Sequence, residues 1–412
     1  MIAKLKKWFN SFGRNAVPAV VVAVEYTVSA VPLLVGVDPK ADKILAHVFD
    51  FEVAQLPNLV TSHATHIASS LVVAQRLINA YHLSLESVQS ANYTRVENDL
   101  WSDILEKEFA ELILILNQKD AHGLVEYLMH FGESYMWFGG LCFSLDGYNH
   151  RNKTEQHIAA SYFDKLICLA EAVGARPHEN PEQGPWGENV KLGVDVLTAL
   201  IEQVTGTSLK VPQGIVPITG IESQIGPIHY RHVNAFYAAW RAKTLLGAHG
   251  KAVCEFGAGN GIAAFYAHQM GVASYTTLDL PLTNVFSGWF LINALGADMV
   301  HLQGEVASQA GVTLLPSWRC ADIESNAFDL VLNQDSFPEI DKTLLQRYFE
   351  IIQKTSSKYF LSINHETETP MASVKHSSVP KLLKYNPHFV LLSRSKYWVR
   401  EGYVEELYQV IK

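Results

Sequence analysis

The segment KAVCEFGAGNGIAAF, residues 251–265, sets Gly257, Gly259 and Gly261 between a short β-rich run and a helix-forming one. Glycines at alternate positions allow a tight turn and let a ligand approach the backbone where a Cβ would otherwise stand. Glu255 precedes the loop, and Asp279 lies 24 positions beyond Glu255, at the end of the next β-rich run in TTLDLP. A carboxylate there can accept both hydroxyls of a ribose, so the two runs together read as a site for a nucleoside-containing cofactor. The spacing alone leaves the cofactor open. Gly259-Asn-Gly-Ile-Ala-Ala264 satisfies G-x-G-x-x-A, and Asp279 stands 20 residues past Gly259, which also suits a nicotinamide dinucleotide. Glu255 tilts the reading toward a cofactor whose tail carries an ammonium group, because a dinucleotide has none. The plainest alternative is a structural turn followed by a strand-end cap.

Further along, two β-rich runs end in polar strings. In Asn333-Gln-Asp-Ser-Phe-Pro-Glu339, Asn333 ends the run next to the expected cofactor edge, and Asp335 and Glu339 can face the same cleft. Asp329, at the start of that run, reads as structural. In Ser362-Ile-Asn-His-Glu366, His365 offers a base that titrates near neutral pH, and Asn364 and Glu366 offer substrate or metal contacts. His365, Glu366, Glu368 and Asp335 together would make a hard, oxygen-rich set suited to magnesium. His229-Tyr-Arg-His232 opens a helix leading into the glycine segment. Arg231 there can pair with a cofactor carboxylate, and His229 or His232 can face a substrate. An ordinary loop cap or a solvated helix end would explain each of these equally simply. His63 and His66, at helical spacing, read as packing positions.

Holding such groups together requires a parallel sheet with crossover helices. Short β-rich runs at 252–256, 275–278, 312–315, 328–333, 359–363 and 389–392 alternate with helical stretches such as 282–295 and 343–354. Right-handed crossovers put the loops after these strands on one edge. The segment 299–305 falls where a simple alternation has no strand. Residues 41–206 instead show mostly helical periodicity, clearest at 101–116, 162–173 and 190–204, and predict a bundle-like domain. A Pro/Gly-rich stretch at 211–226 marks the expected boundary. The predicted organisation is thus an apolar, basic segment at 1–40, a mainly helical domain at 41–225 and an α/β domain with a mostly parallel, doubly wound sheet at 226–412.

With 412 residues, 48% of them apolar and 18% charged, the chain can build two cores. A net charge of -9 without any long basic run argues against a nucleic-acid partner. Cys142, Cys168, Cys254 and Cys320 are widely spaced, which points away from zinc or a disulfide framework and toward a reducing, cytoplasmic setting. The apolar run at 16–37 resembles a membrane anchor. However, Glu25 within it costs roughly 3 kcal/mol on insertion scales, and Pro18 and Pro32 interrupt a spanning helix. The expectation is therefore no membrane span, a small-molecule partner, and a chain compatible with homo-oligomers.

The stretches VCEFGAGNG, TTLDLP, LLPSW and FDLVLNQDSFPEID together resemble the class I S-adenosylmethionine-dependent methyltransferases, and more narrowly a bacterial family of sugar O-methyltransferases. The resemblance covers about residues 226–366. It implies a Rossmann-like domain in which Glu255, Gly257, Gly259 and Gly261 hold the methionine part of S-adenosylmethionine and Asp279 holds the ribose. Ser317 and Trp318 would flank the adenine. The implied acceptor is a hydroxyl of a sugar or glycosylated small molecule, with the helical domain as lid or substrate wall. Competing functions are an NAD(P)-dependent oxidoreductase using the same loop and a non-catalytic cofactor-binding module.

Overall fold

Short, largely apolar β-rich runs separated by helices commit the second half of the chain to strands joined by crossovers. In the computed structural model, residues 56–65, 70–90, 104, 107–133, 141–144, 154–180, 182–306, 310–368, 370–371 and 374–412 are described. The described residues fall into two units, one within residues 55–177 and 192–412 and one comprising 178–180 and 182–191. The boundary expected near residue 225 falls inside the larger unit. In the smaller unit the Glu179 carboxylate accepts the backbone N–H groups of Gly187 and Asn189 at 2.9 and 2.8 Å.

In chain order the first part of the larger unit contains β1 (Leu59–Ser62), α1 (Ser70–Ser90), α2 (Ala110–Gln118), α3 (Ala121–Met129), α4 (Glu155–Ala172), α5 (Val194–Thr205) and β2 (Ile218–Ile221). Next come α6 (Tyr230–Leu246), β3 (Ala252–Phe256), α7 (Ile262–Gln269), β4 (Ser274–Asp279), α8 (Pro281–Leu295), β5 (Val300–His301), β6 (Gly311–Pro316) and β7 (Phe328–Gln334). The chain ends through α9 (Lys342–Thr355), β8 (Ser356–His365), β9 (Pro370–Met371), β10 (Val374–Lys375), α10 (Val379–Leu383), β11 (Phe389–Lys396) and β12 (Tyr403–Val410).

Eight strands form one sheet in the order β11-β12-β8-β7-β3-β4-β6-β5. Every pair from β5 to β8 is parallel, whereas β12 runs antiparallel to both β8 and β11. This is the expected α/β class, a mostly parallel, doubly wound sheet. From β3 the chain moves outward through β4 to β6, then crosses back to β7 on the other side. The loops after β3 and β7 consequently diverge, and a crevice at such a reversal is where open α/β sheets bind ligands.

Alternation within the strands sends Cys254, Phe256, Val331 and Phe360 to one face, where Leu345, Tyr348 and Phe349 of α9 complete a buried cluster. On the other face, α6 and α7 meet through Phe236 and Tyr266, ring centroids 5.1 Å apart. The helices before β2 do not stand apart as the predicted bundle. Helix α8 is apolar almost all round, so burying only its sheet-facing side would leave greasy surface exposed. Helix α1 covers it, with Leu77 so close to Gly288 that an added Cβ would lie 2.5 Å from Leu77 Cδ2. The Arg76 guanidinium donates to the Val300 carbonyl at 2.9 Å and pairs with Glu305 at 2.8 Å, pinning the same helix to the sheet edge.

The expected helices at 282–295 and 343–354 are α8 and α9, whereas β5 and β12 lie outside the six predicted runs. His63 follows β1 in a loop, its Nδ1 3.1 Å from a Glu133 oxygen, and is not a helix packing position. His66 and the apolar run at 16–37 lie outside the described residues. Among the described residues, no helix is long and apolar enough to cross a membrane.

Candidate functional site

The three loop glycines all have positive φ (71°, 57° and 75°), a backbone region costly for residues with a Cβ. Two of them also lack room. A Cβ on Gly257 would lie 2.0 Å from Ser336 Oγ, and one on Gly261 would lie 2.8 Å from Leu291 Cδ1. Gly259 differs, since an added Cβ there would meet only Leu141 Cδ2, at 3.9 Å. The outer glycines thus fit the turn to the fold, while the middle one leaves its backbone approachable. Beside it, the Asn260 amide donates to the Leu141 carbonyl at 2.5 Å and fastens residues 141–144 to the loop.

Two carboxylates flank this turn. Glu255 is buried on the α6/α7 face, and its one described hydrogen bond comes from the Tyr275 hydroxyl at 2.9 Å. Burial pushes its carboxyl up to about 7, against the opposing Tyr275 bond and with help from the Asp279 charge. Asp279 ends β4 half-buried and accepts the N–H groups of Gly259 at 2.8 Å and Leu280 at 2.7 Å. Burial raises it to about 6 despite those bonds. Two neighbouring carboxyls, one buried and one half-buried, both held above their usual range, form a site that a cation or clustered hydroxyls would relieve. Near them, the hydroxyls of Thr277 and Ser317 are buried with no hydrogen-bond partner among the described residues.

Ser317 and Trp318 follow β6 in a tight turn, as expected at this edge. Trp318 is buried, and its indole N–H donates to Ser87 on α1 at 2.8 Å. At the reversal itself, the buried Asn333 amide donates to the Phe256 carbonyl at 2.9 Å and to Ser336 Oγ at 2.7 Å. Its carbonyl oxygen accepts from the Asn364 amide at 2.8 Å. Asn333 therefore ties the ends of β3, β7 and β8 together. The Asn364 carbonyl oxygen is buried with no partner among the described residues.

Asp335 and His365 do come to one edge. Asp335 adopts φ 73°, uncommon for a residue other than glycine, and its carboxylate is clamped by Arg400 Nη1 at 2.5 Å and by the Tyr403 hydroxyl. Burial would raise its pKa, but Arg400, the Tyr403 bond and the nearby Arg231 charge outweigh it and hold Asp335 below the usual carboxylate range. Such a carboxylate is a weak base and a strong hydrogen-bond acceptor. His365 is half-buried, with ring centroids 5.1 Å from His376 and 5.6 Å from Tyr403. Burial and His376 hold its pKa below the ordinary histidine value, so the ring is neutral at pH 7. Glu339 lies in the short turn Phe337–Glu339 and raises the Tyr403 hydroxyl electrostatically.

The expected magnesium set is not assembled. Glu366 pairs with Arg394 at 2.6 Å, Glu368 is paired with Lys381, and Asp335 is occupied as described. Each carboxylate is committed to a different cation, and among the described residues no group of three or more candidate ligands is placed to hold a metal ion.

His229 caps α6, its Nδ1 accepting the Arg231 N–H at 3.2 Å. It packs edge-on to Tyr162, with centroids 5.0 Å apart. His232 is fully buried against Phe143, and burial pushes its pKa down to about 3, against an opposing bond to the His229 backbone. Neither histidine is a solvated helix end. Arg231, partly buried, sits over the Tyr230 ring at 5.2 Å and faces Asp335 electrostatically. Ser336, Arg400 and Tyr403 escaped the sequence reading. Ser336 sat within the polar string already singled out, whereas Arg400 lies in the turn before β12 and Tyr403 at the start of β12, and their role emerges only when β12 pairs with β8.

No family model and no curated protein matches the chain. Solved structures do resemble parts of it. A SAM dependent methyltransferase from Aquifex aeolicus aligns at 15% identity and a TM-score of 0.32, covering 43% of this chain and 92% of that one. A magnesium protoporphyrin IX methyltransferase from Synechocystis, solved with bound SAM, aligns at 13% identity and a TM-score of 0.32, covering 43% of this chain and 80% of that one.

Proposed function

We propose that this protein is an S-adenosylmethionine-dependent methyltransferase acting on a hydroxyl of a sugar or glycosylated small molecule. One observation carries the cofactor reading: the buried Glu255 and the half-buried Asp279 flank a glycine turn whose middle residue is open, at the point where the strand order reverses, and both carboxyls are held above their usual range. In this reading Asp279 takes the ribose hydroxyls on the acceptor capacity left beside its bonds from Gly259, Leu280 and the Thr283 side chain. Glu255 supplies negative charge beneath the turn for a cationic cofactor. The hydroxyls of Thr277 and Ser317, without partners among the described residues, fit the same edge as further polar contacts.

When bound, S-adenosylmethionine supplies a methyl group made electrophilic by its sulfonium. The protein's part is to hold an acceptor oxygen in line with that methyl and to manage the hydroxyl proton. Asp335 and His365, on neighbouring strand ends, are the groups proposed to touch the acceptor, with Glu339, Asn364, Arg231, His229 and His232 around it. The sugar rests on the resemblance of VCEFGAGNG, TTLDLP and FDLVLNQDSFPEID to sugar O-methyltransferases. The test is incubation with methyl-labelled S-adenosylmethionine and a panel of sugars and glycosides. Label recovered on a sugar, with S-adenosylhomocysteine formed in equal amount, supports the proposal. Failure to bind S-adenosylmethionine, together with binding of NADH, overturns it.

A further inference from the structure

Tyr403 is the hub of the edge beside β7 and β8. Its hydroxyl donates to Asp335, its ring stands edge-on to His365 at 5.6 Å, and the Arg400 guanidinium lies over its face at 4.1 Å. Arg400 in turn reaches Asp335 from the turn between β11 and β12. One backbone contact fixes the state of His365: its Nδ1 accepts the Thr367 N–H at 3.2 Å. A neutral imidazole that accepts at Nδ1 carries its proton on Nε2. That N–H has no hydrogen-bond partner among the described residues.

We propose that Arg400 and Tyr403 are positioning residues that fix Asp335 as a hydrogen-bond acceptor and His365 as an Nε2–H donor, so that a neutral hydroxyl acceptor is gripped between the two. The hydroxyl donates its proton to an Asp335 oxygen and accepts from His365 Nε2–H, leaving its second lone pair for the methyl. This deepens the proposed methyltransferase reading and rests on it. A carboxylate held low need not remove the proton beforehand. As the oxygen–carbon bond forms, the O–H becomes strongly acidic and its proton passes to Asp335 and then to water, while the sulfur keeps the electron pair of the bond that breaks. The charge around His365 suits a donor. Asp335 alone favours its cationic form, while burial, His376 and Arg400 oppose it, and Tyr403 packs on it uncharged.

Nitrogen-15 spectra of histidine-labelled full-length protein read the tautomer without any acceptor. At pH 7, His365 should show a protonated Nε2 and a bare Nδ1. Asp335→Asn should move its titration to lower pH, and Arg400→Met should move it to higher pH. A proton on Nδ1, or unmoved titration in both variants, overturns the inference. With an acceptor found on the sugar panel, Tyr403→Phe should lower kcat about a hundredfold with S-adenosylmethionine affinity unchanged. Full kcat in both Tyr403→Phe and Arg400→Met would sink the inference while leaving the methyltransferase standing. Absence of methyl transfer in the unmodified protein would instead count against the proposed function, with the spectra still judging the tautomer.

Discussion

Replacing Glu255 by Gln separates what this residue does for the cofactor from what it costs the fold. In the folded chain its carboxyl is raised from 4.5 to about 7, chiefly by burial. Below pH 4.5 it is protonated in folded and unfolded chains alike, so it carries no electrostatic penalty. Between 4.5 and about 7 the unfolded chain releases the proton first, and stability falls as pH rises. Above about 7 the folded protein holds a buried charge, and the full penalty applies. At about 1.4 kcal/mol per pH unit, the interval corresponds to a ceiling of about 3 kcal/mol. Gln fills the same space and still offers Tyr275 an oxygen to donate to. Urea unfolding of Glu255→Gln at pH 8 should therefore show a gain of about 1–3 kcal/mol, shrinking to nothing at pH 4.5. The same variant should lose affinity for S-adenosylmethionine. A variant no more stable at pH 8 than the original chain would refute the claim that Glu255 is a strained, buried charge held for a ligand.

Asp279→Ala should weaken S-adenosylmethionine binding by about 1–3 kcal/mol, the usual cost of leaving hydrogen-bonding partners unmet, as read by calorimetric titration. Gly257→Ala, which puts a Cβ 2.0 Å from Ser336 Oγ, should lower the melting temperature. Gly259→Val should instead abolish cofactor binding with a smaller thermal effect, and a reversal of the two would show that the loop has been misread. Glu405→Gln, which breaks a carboxylate bonded by Tyr237 at 2.6 Å and Arg241 at 2.7 Å, should cost about 3 kcal/mol in urea unfolding. A loss below about 0.5 kcal/mol, the scale of an exposed pair, would contradict its burial.

Glu405 also shows where the sequence stopped being legible. The strand YVEELYQV carries two adjacent acidic residues, which reads as solvated chain, yet both are buried in β12. Arg241 from α6 and Arg394 from β11 neutralise them, partners 164 and 12 positions away that local pattern cannot show. The parallel strands other than the two-residue β5 were readable because, covered on both faces, they are largely apolar runs. The glycine loop was readable because backbone geometry demands glycine itself. The helices at 70–205 were readable as helices but not as a layer, because amphipathic periodicity records that one face is buried and not against what. At the site, Asp335 and His365 could be placed at one edge from the chain order alone. Their states could not, since these depend on Arg400, Tyr403 and a backbone N–H that only the fold brings near.

Calorimetric titration of the full-length protein with S-adenosylmethionine, S-adenosylhomocysteine and NADH tests the central claim most directly. Saturable binding of both adenosyl ligands, weakening as pH falls below about 7 and Glu255 and Asp279 take up protons, is the predicted result. Tight binding of NADH with no response to S-adenosylhomocysteine would contradict it.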